Sequence, residues 1–187
     1  MEPIETLRLV LRDFVDTDWK AMSEYARDPE TVKYLPWGPN SEGQTIDFLR
    51  KTIEARDAAL MSRRDYQFGI VLKEGDRLIG GMRITIQHPE HRNGDIGYVL
   101  HRSHWKKGLM TEAGRAILDF GFSKLGLHRI YATCDPANEG SARVLEKIGM
   151  KREGHLRDAL WMKNDWRDSL LYAILHQDWK AQRAAGV

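Results

Sequence analysis

One cysteine, Cys134, stands in the 187 residues, so no intramolecular disulfide can form and no cysteine-rich metal site can be built. That usage fits a reducing compartment, and the cytoplasm is the expected location. No apolar run approaches the roughly 18 residues that a membrane-crossing helix needs. The start, Met1-Glu2-Pro3-Ile4-Glu5, shows no basic segment followed by an apolar one. A soluble, unprocessed chain is therefore expected, without membrane attachment. A surplus of one charge is also missing: 29 basic and 27 acidic residues leave a net charge of +2, and the signs alternate along the chain. A nucleic-acid-binding face would need clustered basic residues with interleaved aromatics, so none is expected. Repeats, low-complexity tracts and linkers are absent as well, and the length suits one domain that buries roughly 70% of its unfolded surface.

What the chain does carry is alternation of strand and helix patterns. Leu7, Leu9 and Leu11 alternate with charged or smaller residues as a first strand. Trp19, Met22 and Tyr25-Ala26 then fall at helical spacing. Ser41 and Gln44 have capping-box spacing and open a second helix toward Met61, with Ile46, Phe48-Leu49 and Ile53 as its apolar stripe. Strands are expected over 66–72, 77–86 and 95–100, a helix from Thr111, a strand over 129–134 and a helix over 141–148 ended by Gly149. A hairpin around Lys163-Asn164-Asp165 follows, and a frayed polar tail is expected from Asp178. This order describes one α+β or mixed α/β domain.

Two junctions can carry chemistry. Strand 95–100, the basic loop His101 to Met110 and the helix from Thr111 would turn unpaired N–H groups of Lys107 to Thr111 toward one point. The helix dipole favours an anion there, and Lys106 and Lys107 add positive charge, so a pyrophosphate suits the site. A single glycine and two lysines are equally compatible with a solvated loop. The second junction, Asn138-Glu139-Gly140-Ser141-Ala142-Arg143, leaves a strand end and opens a helix, its polar residues facing the strand mouth.

These stretches resemble the GNAT superfamily of acetyltransferases, most closely its RimJ/RimL-type branch of ribosomal-protein N-terminal acetyltransferases. The resemblance runs from Glu5-Thr6-Leu7-Arg8-Leu9 to His176-Gln177-Asp178-Trp179. It is most specific at Ile96-Gly97-Tyr98-Val99-Leu100, Trp105-Lys106-Lys107-Gly108-Leu109-Met110-Thr111-Glu112-Ala113, Leu127-His128-Arg129-Ile130 and Asn138 through Gly149. It implies a central, mostly antiparallel, splayed sheet of about seven strands flanked by helices, in one domain over 1–180 with a polar tail over 181–187. It implies acetyl-CoA as cosubstrate, no metal, and direct acetyl transfer to a primary amine with no covalent acyl-enzyme. The acceptor is a protein N-terminus, or a polyamine, amino acid or aminoglycoside. A non-catalytic acyl-CoA sensor is a further alternative, and a monomer or homodimer fits.

The resemblance also implies residue roles. Tyr98, Val99 and Leu100 would lie along the pantetheine arm, with the Leu100 amide at the acetyl oxygen. Lys106, Lys107, Gly108, Leu109, Met110 and Thr111 would hold the pyrophosphate. Trp105 fills the first place of the acyl-CoA motif, and Met110 stands where the family has a small residue. Asn138 would bond the pantetheine or cap its helix. Ser141 would protonate the departing thiolate, because Glu146 stands where many relatives carry a tyrosine. Asp95 is the candidate base that removes the ammonium proton, directly or through water. His88 and His91, like His101 and His104, show His-x-x-His spacing without a cysteine or glutamate to complete a metal site. Trp37, Trp161 and Trp166 read as core or dimer contacts, Cys134 as apolar filler, and His128 as the site of a structural hydrogen bond. Glu24, Asp28, Glu30, Asp47 and Glu54 would either line an acidic groove or solvate helices.

Overall fold

The computed structural model describes residues 1–58 and 63–185. The chain opens with a short hairpin, β1 (Ile4–Glu5) and β2 (Leu9–Asp13). The Thr6 N–H donates to the Leu9 carbonyl across its turn, at 2.9 Å. That turn shifts the strand start, so Leu7 is fully exposed while Leu9 and Leu11 are buried. Helices α1 (Trp19–Ala26), α2 (Pro29–Val32) and α3 (Glu42–Ala58) follow. The capping box at α3 forms as its spacing predicts: Ser41 N–H donates to Gln44 Oε1 at 2.8 Å, and Gln44 N–H to Ser41 Oγ at 3.2 Å. The expected extension to Met61 lies outside the described residues. Its buried stripe is Thr45 and Leu49 rather than Ile46 and Phe48, which are exposed.

Strands β3 (Asp65–Leu72), β4 (Arg77–His88) and β5 (Asn93–Leu100) come next, then α4 (Leu109–Ser123), β6 (Arg129–Cys134), α5 (Glu139–Lys147), β7 (Lys151–Met162), β8 (Asp165–Leu175) and α6 (His176–Ala184). The eight strands form one sheet in the order β1-β2-β3-β4-β5-β6-β8-β7. Every neighbouring pair is antiparallel except β5–β6.

Burial divides the molecule into two layers over this sheet. On one face, Ala113, Ile117 and Phe122 of α4 and Leu145 and Ile148 from α5 and its C-terminal end pack on Phe68, Ile84, Ile96, Ile130 and Tyr172. On the other, Met22, Tyr25 and Ala26 of α1 and Leu49 of α3 pack on Phe14, Val71 and Leu78. α5 ends as the sequence predicts: Gly149 takes φ +89°, its N–H bonds Glu146 O and the Met150 N–H bonds Leu145 O. The tail is not frayed from Asp178. Trp179 packs against Phe122 at 5.2 Å between ring centroids and donates to Asp119 at 2.7 Å, which docks α6 on α4. No helix among the described residues is long and apolar enough to cross a membrane.

Candidate active site

The site begins where the one parallel strand pair among the described residues, β5 and β6, comes apart. β5 follows β4 along its whole length but pairs with β6 only at Asn93, Gly94 and Asp95. Beyond Asp95 the two strands diverge. His101 N–H donates to Ile79 O, opposite it in the register. Antiparallel alternation therefore turns the backbone groups of Gly97 and Val99 toward β4, and those of Tyr98 and Leu100 into the opening. The Leu100 carbonyl is taken by Trp105 Nε1 at 2.7 Å. Its amide is turned away from β4, toward the gap. Val99 departs from the expectation for it: its backbone belongs to the ladder, and only its side chain reaches the cavity.

At the far end of β5 the chain reverses into the N-terminus of α4. Lys106 and Gly108 both adopt left-handed backbone, φ +60° and +76°. No side chain caps the helix. The first internal bond of α4 is Glu112 N–H to Gly108 O, so the amides of Leu109, Met110 and Thr111 are left pointing outward. Such an array fits a pyrophosphate. Leu109 and Met110 are buried in the main core. Met110 thus leaves its N–H at the helix start and sends its bulk into the core.

Sequence reasoning passed over the residues that hold this loop. Arg8 Nη1 donates to Lys107 O at 3.0 Å, and Arg8 Nε bonds Glu112 Oε2 at 2.7 Å. Glu112 Oε1 accepts from Thr6 Oγ1 and from the Arg8 N–H. Burial pushes the Glu112 carboxyl up, but the hydrogen bonds from Thr6 and Arg8 outweigh it and hold the group below its ordinary range. Both partners lie inside the stretches that carry the family resemblance, which was the available signal.

Across the opening, α5 presents Ser141. Its Oγ lies 2.8 Å from Tyr98 Oη, and Asn138 Oδ1 caps the helix by accepting the Ser141 N–H at 3.1 Å. Helix α5 starts two residues earlier than its spacing suggests, which puts Ser141 in the first turn. Burial pushes the Tyr98 phenol well above its ordinary value, although the Ser141 bond pulls the other way. It therefore stays protonated at neutral pH. Burial likewise pushes up the thiol of Cys134, which lines the same cavity.

Asp95 is buried where the strands part. Its Oδ2 lies 2.6 Å from Arg83 Nη2, and its Oδ1 accepts from Gln87 Nε2 at 2.5 Å. Arg83 continues through Thr85 to Asp65 and lies across Gly97, where a Cβ would sit 3.1 Å from Arg83 Nε. Arg83, Asp95 and Gly97 line a cavity of about 660 Å³, together with Asn138 and Ser141, Met22 and Tyr25 of α1, and Thr45 and Phe48 of α3. Trp37 lines it and is not core. Trp161 and Trp166 are not core either: they pack edge to face at 5.4 Å and stay exposed. Lys163 Nζ, in the β7–β8 turn, donates to Val32 O at 2.7 Å and so ties the hairpin to α2 beside the cavity. The His128 backbone bonds Arg92 O and the His176 N–H, which makes the structural contact expected near it.

The chain is similar to known acetyltransferases in sequence and in fold. Residues 8–151 match the family model described as Acetyltransferase (GNAT) domain. The Bacillus subtilis (strain 168) protein named Uncharacterized N-acetyltransferase YnaD is 38% identical over 94% of this chain and 98% of its own. The [Ribosomal protein uS5]-alanine N-acetyltransferase of Escherichia coli (strain K12) is 34% identical over 96% and 94%. The crystal structure of a GNAT-family acetyltransferase from Bacillus anthracis superposes with a TM-score of 0.84 at 36% identity, covering 94% of this chain and 99% of that one. With its splayed β5–β6 pair, its uncapped α4 and these relatives, the chain belongs to the GNAT acetyltransferase family.

Proposed function

We propose that this N-acetyltransferase moves an acetyl group from acetyl-CoA to the α-amine of a protein or peptide. The observation that carries the reading is the continuity of three features: uncapped amides at α4, backbone groups of Tyr98 and the Leu100 amide turned away from the ladder, and a serine hydroxyl facing the gap. Acetyl-CoA, when bound, supplies the activated acetyl group as a thioester. Lys106, Lys107 and the amides of Gly108 to Thr111 would hold its pyrophosphate, and Asn138 and Tyr98 would flank the pantetheine. The Leu100 N–H would donate to the acetyl oxygen as negative charge builds there. As the new C–N bond forms and the C–S bond breaks, the Ser141 hydroxyl gives its proton to the leaving sulfur, and the proton that the amine sheds returns to Ser141 through cavity water. Tyr98 holds that hydroxyl in place from the other side. Both Asp95 oxygens are engaged, so this carboxylate acts on the acceptor's proton through cavity water rather than by direct contact. The name of the Escherichia coli relative, which specifies an alanine of a ribosomal protein, supports a polypeptide acceptor.

The experiment is incubation of the purified protein with acetyl-CoA and a panel of peptides, polyamines, amino acids and aminoglycosides. Thiol release and product mass are followed together. Peptide-dependent release with a matching gain of one acetyl group is expected. Acetyl-CoA binding without any acceptor-dependent release would favour a sensor.

A further inference from the structure

Resting on that reading, we infer that the acceptor carries an apolar group next to its amine, and that polycations are poor substrates. The evidence is the balance of surfaces around the cavity. Its mouth is set with large apolar side chains left in water: Trp37 at 37% exposed, Phe48 at 45% and Leu160 at 46%. Met162 and Phe14 line it further in. Three such residues from three separate elements converge on one concavity, the disposition that marks a binding surface rather than scattered surface hydrophobes. Phe48 is the sharpest case, because it stands one position from the buried stripe of α3 and is turned into the cavity.

Each carboxylate lining the cavity already accepts at least one hydrogen bond, and Asp95 is held by an arginine. Those lining the cavity are Asp95, Asp135 and Asp168. Asp95 is held by Arg83 and Gln87. Asp135 Oδ1 accepts the Ala137 N–H at 2.8 Å. Asp168 lies 2.6 Å from His155 Nε2 and accepts the Asp158 N–H at 3.0 Å. Arg83 and Arg167 line the same space, so a polycation would meet positive charge there as well. The acids that could have formed an acidic groove do not line it. Glu24 pairs with Arg77, Asp28 with Arg102, and Asp47 with Arg50 and Lys51; Glu30 and Glu54 are also outside the lining. A single ammonium that loses its proton on reaction, followed by an aliphatic or aromatic group, matches these surfaces. A peptide whose first residues are apolar is such an acceptor.

The test uses the full chain with saturating acetyl-CoA and three acceptors: a short peptide amide beginning Ala-Phe, the same peptide beginning Ala-Asp, and spermidine. The value of kcat/KM for the Ala-Phe peptide should exceed the other two by roughly tenfold or more, the range that one apolar side chain gives in an apolar pocket. Phe48→Ser and Trp37→Ser should each raise KM for the Ala-Phe peptide several-fold while KM for acetyl-CoA stays at the wild-type value. The unchanged acetyl-CoA KM also shows that each variant is folded. A preference for spermidine, or variants that leave the peptide ratio unmoved, overturns the inference but keeps the transferase. Silence with all three acceptors overturns the peptide-acceptor reading itself and takes the inference with it.

Discussion

The two sides of the β5–β6 opening are built from different materials. On the α4 side the groups left unpaired are backbone amides, set by two left-handed residues close together in sequence, Lys106 and Gly108. On the α1 and α3 side the cavity is lined by side chains drawn from Phe14 to Ser169, brought together only by the sheet. A backbone cradle tolerates substitution of its side chains, as Met110 shows by burying its own. A side-chain groove changes with every substitution, which is how one scaffold can keep one donor and vary its acceptors.

The comparison breaks most severely where the two sides meet. Ser141→Ala should lower kcat about 100-fold, the usual scale for a lost general acid, with acetyl-CoA KM changed little. An equal loss in acetyl-CoA affinity would instead make Ser141 a binding residue. On the donor side alone, Gly108→Val places a β-branched residue at φ +76° and should raise acetyl-CoA KM roughly tenfold with peptide KM unchanged. Matched effects on both KM values would show that the sides are coupled. On the acceptor side, Asp95→Asn should cost about tenfold in kcat/KM near pH 7. The loss should shrink as pH rises and more of the amine is already neutral. A pH-independent loss would mean that Asp95 only positions Arg83.

The smallest effect concerns the support of the donor loop. Glu112→Gln should destabilise the fold by about 1 kcal/mol at pH 7, since the site is partly exposed. The Glu112 carboxyl lies below its ordinary value in the folded chain, so its stabilisation is present at neutral pH and fades as pH falls through that lowered value. Thermal melts of wild type and variant should therefore converge in acid. A gap that persists at pH 3 would show that geometry, and not charge, makes the contact.

The donor side was largely legible in the sequence because its signals are local. The strand, glycine and helix start adjoin one another, and the resemblance placed Leu100, Gly108, Asn138 and Ser141 on the correct elements. The acceptor side was not. Phe48 was assigned to a buried stripe because helical periodicity cannot say which neighbour covers a face. Trp37 read as a core or dimer contact because a large aromatic is usually covered. The pairing of Asp95 with Arg83 and Gln87 joins β5 to β4 and depends on register, which no local pattern reveals. Likewise the polar run after Asp178 read as a tail because most of what docks α6 is polar: beside Trp179 on Phe122, Gln182 bonds the Gly149 carbonyl and Arg183 pairs with Asp119.

The most direct test of the account is the mass and site of acetylation of a peptide bearing one α-amine and one lysine, measured beside the free thiol released. The account predicts one acetyl group on the α-amine for each thiol and none retained on the protein. Thiol released without an acetylated peptide, or acetyl left on the protein as an intermediate, would contradict it.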